Sequence, residues 1–142
     1  MSNDTPRATL RTVTLRRTQA GRLVATNTRG VELHIGGEQN FSPVELLLAA
    51  LAGCAGLDVD ALTSRRAEPE SFEVEGRGDK IRDETGNRME NLEVIFRVRF
   101  PAGEAGDAAR AVLPDMVAKS HDRLCTVSRS VELPTPIKAT IE

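Results

Sequence analysis

Neither tryptophan nor tyrosine occurs in the 142-residue chain, and phenylalanine occurs only four times. The stacking platforms that hold unpaired bases are therefore missing, along with most aromatic sugar-binding surfaces, and the core has to be aliphatic. Basic charge is not in excess: 19 Lys and Arg against 21 Asp and Glu give a formal charge of −2. That balance disfavours binding to a phosphate backbone, so no nucleic-acid partner is expected. The longest uncharged apolar run, Leu46 to Leu57, is about a dozen residues, where a membrane span needs roughly 20. No membrane role is expected. Residues 1–17 lack a continuous apolar segment and a small-residue cleavage pattern, so the expected location is cytoplasmic. Cysteine is nearly absent. Cys54 and Cys125, 71 positions apart, form neither a dense disulfide framework nor a metal-knuckle spacing.

At roughly 100–200 residues per domain, the length predicts one domain over residues 1–142. Ala8 to Arg17 alternates with period two and is rich in Thr and Val. Gly21 and Gly30 then punctuate the runs Arg22 to Thr28 and Val31 to Ile35, so strands over 8–35 are expected as an antiparallel meander. Ser42-Pro43-Val44-Glu45 combines an N-cap serine, proline at the first helical position and glutamate three residues after the cap, and it opens a central helix over 42–66. The runs Ser71 to Arg82 and Asn91 to Phe100 flank the polar turn 83–87 and predict a hairpin over 71–100. A second helix over 107–121 is capped by Asp107 and kinked or divided at Pro114. A short helix starts from Cys125, and Ile137 to Ile141 alternates as a final strand.

For about three turns the central helix has no polar face, and a helix hydrophobic all round must be buried on every side. One sheet covers one side only. The other side is expected to meet the same helix of a second subunit, with Gly53, Ala55 and Gly56 permitting close approach. The reading is an α+β homodimer with two central apolar helices packed back to back and wrapped by antiparallel sheets.

The two thiols admit a bland reading as inert core cysteines, since free cysteine is among the most buried residue types. Cys54, however, lies among small residues in the central helix, where Ala or Leu would pack as well. The run Ser42-Pro43-Val44-Glu45-Leu46-Leu47-Leu48-Ala49-Ala50-Leu51-Ala52-Gly53-Cys54, followed by Cys125-Thr126-Val127-Ser128-Arg129, resembles the OsmC/Ohr family of osmotically induced and organic hydroperoxide resistance proteins. The order strands, helix, strands, helix, strand extends the resemblance over essentially the whole chain. Val44 stands where the better-known branches carry glutamate, and Thr126 where they carry proline, which places the chain nearer the OsmC-like branch of unassigned activity.

The resemblance implies an intertwined homodimer and a thiol-dependent peroxidase, with Cys54 as the attacking sulfur and Cys125 as the resolving one. A thiolate attacks a peroxide oxygen and becomes a sulfenic acid, which a second thiol condenses to a disulfide. Two cysteines suffice, so no cofactor and no metal is expected. The implied partners are an organic hydroperoxide and an external dithiol of the lipoyl type that reopens the disulfide. Cys54 sits mid-helix, so its activation calls for a nearby cation rather than a helix end; Arg16, Arg17, Arg22 and Arg29 are the candidates. Glu45, nine positions before Cys54, falls about 900° around the helix on the opposite face and is read as the capping glutamate. His121, four residues before Cys125, could serve as a base or a ligand but is read as solvated, and His34 as facing away from Leu33 and Ile35 in its strand; one His near one Cys with no Cys-x-x-Cys pair gives a metal-bound reading third place. The alternative is a small-molecule binding or sulfur-handling dimer that keeps the fold without efficient peroxidase activity.

Overall fold

A computed structural model describes residues 7–142. They form two compact units, residues 7–46 and 47–142.

The first unit is an antiparallel sheet of β1 (Val13–Gln19), β2 (Arg22–Asn27) and β3 (Glu32–Ile35), in the order β1-β2-β3. The first strand starts later than the Thr-rich alternation predicts; residues 8–12 are not paired. Leu15, Ala25 and Leu33 lie in register on one face, beside Leu23 and Ile35. Of the sheet residues, Val24, Ala25 and Ile35 are buried, while Val13, Leu15 and Leu33 remain exposed. Downstream of the sheet, the capping box closes in both directions. The Glu45 N–H donates to Ser42 Oγ at 3.2 Å, and the Ser42 N–H donates to Glu45 Oε1 at 2.9 Å. These bonds satisfy donors that a helix start leaves open, and they hold the Glu45 carboxyl below its usual range.

α1 (Pro43–Thr63) begins at this cap and is 21 residues long, apolar enough in composition to cross a membrane. It packs instead on the hairpin of β4 (Ser71–Asp83) and β5 (Gly86–Arg99). The hairpin separates its two faces. Phe72, Val74 and Gly76 pair with Val98, Phe96 and Val94 on the apolar face. On the other face Arg97 reaches Glu73 at 3.0 Å and Glu75 at 2.6 Å. Two glycines set the helix–hairpin distance. A Cβ at Gly76 would stand 2.6 Å from the Leu48 carbonyl oxygen, and one at Gly56 would stand 3.1 Å from Val74 Cγ2. Gly56 and Ala55 are thus consumed by packing within the chain rather than left for a partner helix, whereas Gly53 lies open.

α2 (Glu104–Lys119) starts three residues earlier than predicted, with Gly103 at the cap, because the Gly103 carbonyl accepts the Asp107 N–H at 2.9 Å. Asp107 therefore sits in the first turn. Pro114 lies inside the helix without dividing it. A π-helical turn, Ser120–Leu124, follows, and Cys125 then caps α3 (Thr126–Glu132). The expected strand at 137–141 is not formed, and residues 134–142 have no regular structure. A strand exists only against a neighbour, and Ile137 and Ile141 are 95% and 99% exposed. The core of this unit gathers Leu51, Ala52, Ala55 and Val59 of α1 with Phe100, Ala109 and Cys125.

Replacing Gly76 with alanine is expected to cost about 1–3 kcal/mol in denaturant unfolding, because the new methyl meets backbone that cannot rotate away. Ser42→Ala is expected to cost about 1 kcal/mol through loss of the cap. Unfolding midpoints equal to wild type in both variants would show that neither contact matters.

Candidate functional site

The two cysteines, far apart in sequence, meet in the second unit, and an aspartate meets them. The sulfurs of Cys54 and Cys125 and a carboxylate oxygen of Asp58 all lie within 4.8 Å of one another. Cys54 and Asp58 are four residues apart on α1, about 400° around the helix, and so share one face. Cys125 arrives from the C-terminal segment. Its N–H donates to the Ser120 carbonyl at 2.7 Å, closing the π-helical turn, and its side chain caps α3.

Serines hold both sides of the cluster. The Ser120 hydroxyl donates to Asp58 Oδ2 at 3.0 Å, joining α1 to the start of the π-helical turn. The Ser128 N–H and hydroxyl donate to Cys125 Sγ at 3.4 and 3.1 Å. Cys125 is fully buried and Cys54 half-buried. Among the described residues, no buried side-chain nitrogen or oxygen lacks a hydrogen-bond partner.

Burial pushes the Cys54 thiol up from its ordinary value. The Val127 N–H donated to its sulfur works the other way, and Cys125 and the Asp58 carboxylate add to the upward shift. A negative neighbour and partial burial both disfavour thiolate. None of these groups is a cation. The four arginines named from the sequence lie in the first unit, Arg16 and Arg17 on β1, Arg22 at the start of β2 and Arg29 in the following turn, and all four are exposed. Glu45 is engaged in the cap.

Ser120 and Ser128 also line a cavity of about 230 Å³, whose apolar wall includes Leu51, Leu92, Phe96 and Val131. His121 and Glu132 stand on its lining as well. His121 does not join the thiols. Its Nδ1 meets Asp122 Oδ1 at 3.0 Å and its Nε2 meets Glu132 Oε1 at 2.7 Å, which ties the π-helical turn to α3. Asp122 first and Glu132 second raise the pKa of the ring. His34 is exposed on β3, opposite Val24 of β2.

Asp58, Ser120 and Ser128 escape a reading of the sequence focused on the cysteines. The signal for Asp58 is the i,i+4 spacing from Cys54. For Ser128 it is the third position after a capping residue, where an N–H turns back to the cap. Among the described residues, Cys54, Asp58 and Cys125 are the ones grouped so that they could hold a metal ion, supplying two sulfurs and an oxygen.

The sequence model of one protein family, described as OsmC-like protein, matches residues 36–140. No curated protein matches the chain. Solved structures do match. An OsmC-like protein of unknown function from Vibrio cholerae superposes with a TM-score of 0.73 at 16% identity, covering 88% of this chain and 95% of that one. A hypothetical protein from Aquifex aeolicus gives 0.71 at 20% identity, covering 88% and 89%. The organic hydroperoxide resistance protein OhrB of Bacillus subtilis gives 0.54 at 21% identity, covering 87% and 90%. At these identities the likeness is one of fold: the expected α+β arrangement of helices and antiparallel sheets is shared with these proteins.

Two outcomes follow from the electrostatics. Asp58→Asn, assayed with a chelator present, is expected to speed iodoacetamide alkylation of Cys54 near pH 8, because removing the charge lowers the thiol pKa; an unchanged rate would remove Asp58 from the account. The raised pKa of His121 makes its stabilising contribution full below about pH 6.5, and that contribution is lost as pH rises through the higher folded value. His121→Gln is therefore expected to destabilise the protein more at pH 5.5 than at pH 9. Equal losses at the two pH values would contradict this.

Proposed function

The chain belongs to the OsmC-like protein family, and on that footing we propose that it is a thiol-dependent peroxidase reducing organic hydroperoxides. The observation that carries this reading is the approach of two thiols, 71 positions apart in sequence, to within 4.8 Å. In the proposed cycle the Cys54 thiolate attacks the peroxide oxygen, the O–O bond breaks, and the leaving alkoxide takes a proton to become an alcohol. Cys54 is now a sulfenic acid. The Cys125 sulfur displaces its oxygen as water, and a disulfide forms. An external dithiol of the lipoyl type then exchanges with that disulfide, is itself oxidised, and restores both thiols. The apolar cavity lined by Ser128, which donates to Cys125 Sγ, suits the organic part of such a substrate. One of the fold neighbours, from Bacillus subtilis, is named for organic hydroperoxide resistance.

On this reading the protein works in the cytoplasm as a homodimer. Support for the dimer comes from apolar surface that the chain leaves uncovered. Gly53 on α1 is open, Leu57 beside it is 73% exposed, and Val13, Leu15 and Leu33 are exposed on the three-stranded sheet. The resemblance assigns the cation that the attacking thiolate requires to an arginine of the N-terminal region, with Arg16, Arg17, Arg22 and Arg29 as the candidates.

A second reading has a specific observation in its favour. The two charged neighbours that shift Cys54, Cys125 and Asp58, both push its thiol up, which suits a small-molecule binding or sulfur-handling dimer whose thiol stays protonated. The alkylation rate of Cys54 against pH separates the two. A pKa about two units below the unperturbed ~8.5 supports the peroxidase, and a value at or above ~8.5 supports the alternative.

Cys54→Ser is expected to abolish consumption of an alkyl hydroperoxide with a dithiol reductant. In the absence of a thiol reductant, Cys125→Ser is expected to consume one equivalent and stop at the sulfenic acid. Normal turnover by Cys54→Ser would end the proposal. Leu57→Glu is expected to shift the protein to monomer in sedimentation, and a wild type that already sediments as a monomer would remove the dimer.

A further inference from the structure

We infer that Cys54, Asp58 and Cys125 form a binding site for one divalent thiophilic cation of the zinc class. The inference uses the same thiol pair as the peroxidase reading, but it does not depend on peroxidase activity.

The donor set comes first. Two sulfurs and one carboxylate oxygen are ligand types that zinc accepts, and the sulfurs select against magnesium and calcium. With zinc–sulfur bonds near 2.3 Å and zinc–oxygen bonds of 2.0–2.2 Å, tetrahedral donors stand about 3.6–3.8 Å apart. The three donor atoms here already lie within 4.8 Å of one another without a cation. Closing onto a metal therefore takes about 1 Å of side-chain movement or less. Two donors sit one helical turn apart on α1 and the third caps α3, so the backbone presents them from two elements, as a preorganised site requires.

The groups around the donors point the same way. Metal-ligating carboxylates and thiolates are themselves held by hydrogen bonds, which fix their orientation. Ser120 donates to Asp58 Oδ2 at 3.0 Å, which fixes the carboxylate while leaving it acceptor capacity for a metal. Ser128 directs two donors at Cys125 Sγ, from its N–H and its hydroxyl. These bonds would persist with Cys125 as a thiolate. Cys125 is buried, while Cys54 and Asp58 are half-buried and so remain reachable by a cation from solvent.

The chemistry balances without an oxidant. The cation takes the place of two thiol protons, which are released to solvent, and the Asp58 carboxylate completes three protein ligands. Three ligands are one fewer than a closed structural site uses, so the fourth position is left for water or a small ligand. Ser120 and Ser128, which hold two of the three donors, also line the 230 Å³ cavity, although none of the three donors does.

The test uses the full-length protein, reduced and stripped with a chelator, then titrated with zinc against a chromophoric competitor and separately with cobalt. The expected result is one zinc per chain and about two protons released per zinc near neutral pH. Cobalt should give sulfur-to-metal charge-transfer absorption with the strong visible bands of tetrahedral coordination. One equivalent of zinc should slow iodoacetamide alkylation of Cys54. Asp58→Asn is expected to weaken binding at least about tenfold, and Cys125→Ser about a hundredfold or more. Circular dichroism checks that each variant is folded, and if one is not, the remaining variant and the wild-type cobalt spectrum decide. Absence of stoichiometric zinc from the reduced wild type overturns the inference, and so does binding unchanged by Asp58→Asn or Cys125→Ser. Because these readouts are taken without hydroperoxide, failure of the metal site and failure of the peroxidase reading are separate results.

Discussion

The hydrogen bond from Ser120 Oγ to Asp58 Oδ2, 3.0 Å long and spanning 62 positions of sequence, fixes the geometry of the site. Each of its ends is rigidly linked to a sulfur. Asp58 is one helical turn from Cys54, and Ser120 is one π-helical turn from Cys125, through the 2.7 Å bond between the Cys125 N–H and the Ser120 carbonyl. Holding the two polar groups together therefore holds the two thiols together. A hydrogen bond to a charged group contributes about 1.5–3 kcal/mol, and Ser120, at 1% exposure, has no water to exchange it for. The π-helical turn matters here because it delivers one residue more per turn than an α-helix would. Such turns are frequent where a helix is diverted to serve a site.

Packing below the site is set by small residues. Gly76 lets the Leu48 carbonyl approach the hairpin and Gly56 receives Val74, so α1 lies close on the apolar face formed by Phe72, Val74, Val94 and Phe96. A helix with Leu and Ala on nearly every side would otherwise expose much of its surface to water. A neighbouring stripe, at Ala49, Gly53 and Leu57, keeps that exposure. One element thus divides its surface: the side facing the hairpin contributes to folding, and the stripe left over is exposed apolar surface.

Much of this was legible in the residue pattern, for physical reasons that can be named. Ser42 and Glu45 announce their helix because a capping box is a local interaction, complete within four residues. The hairpin is legible because alternation and a polar turn are also local, and it is observed over Ser71–Asp83 and Gly86–Arg99. The segment 137–141 has the alternation of a strand but pairs with no neighbour among the described residues, and pattern alone cannot supply one. Gly103 displaced Asp107 as the cap of α2 because its carbonyl accepts the Asp107 N–H, a bond that side-chain preferences do not reveal. Cys54 and Cys125 stood out as rare residues. Asp58 did not, because in sequence it reads only as the point where α1 turns polar, and its meaning depends on a partner 62 positions away.

The peroxidase cycle and the metal site make opposite demands on the same sulfurs, and Asp58 is where they diverge. A carboxylate beside Cys54 opposes a bare thiolate but welcomes a cation. What both readings share is the claim that the two thiols act as one pair in one chain. The most direct measurement is non-reducing peptide mapping by mass spectrometry after one equivalent of an organic hydroperoxide has been added to reduced, metal-free protein. The account predicts a single linkage between the Cys54 and Cys125 peptides of the same chain, with the loss of two hydrogens. Both thiols left free, or linkages found only between chains, would contradict it.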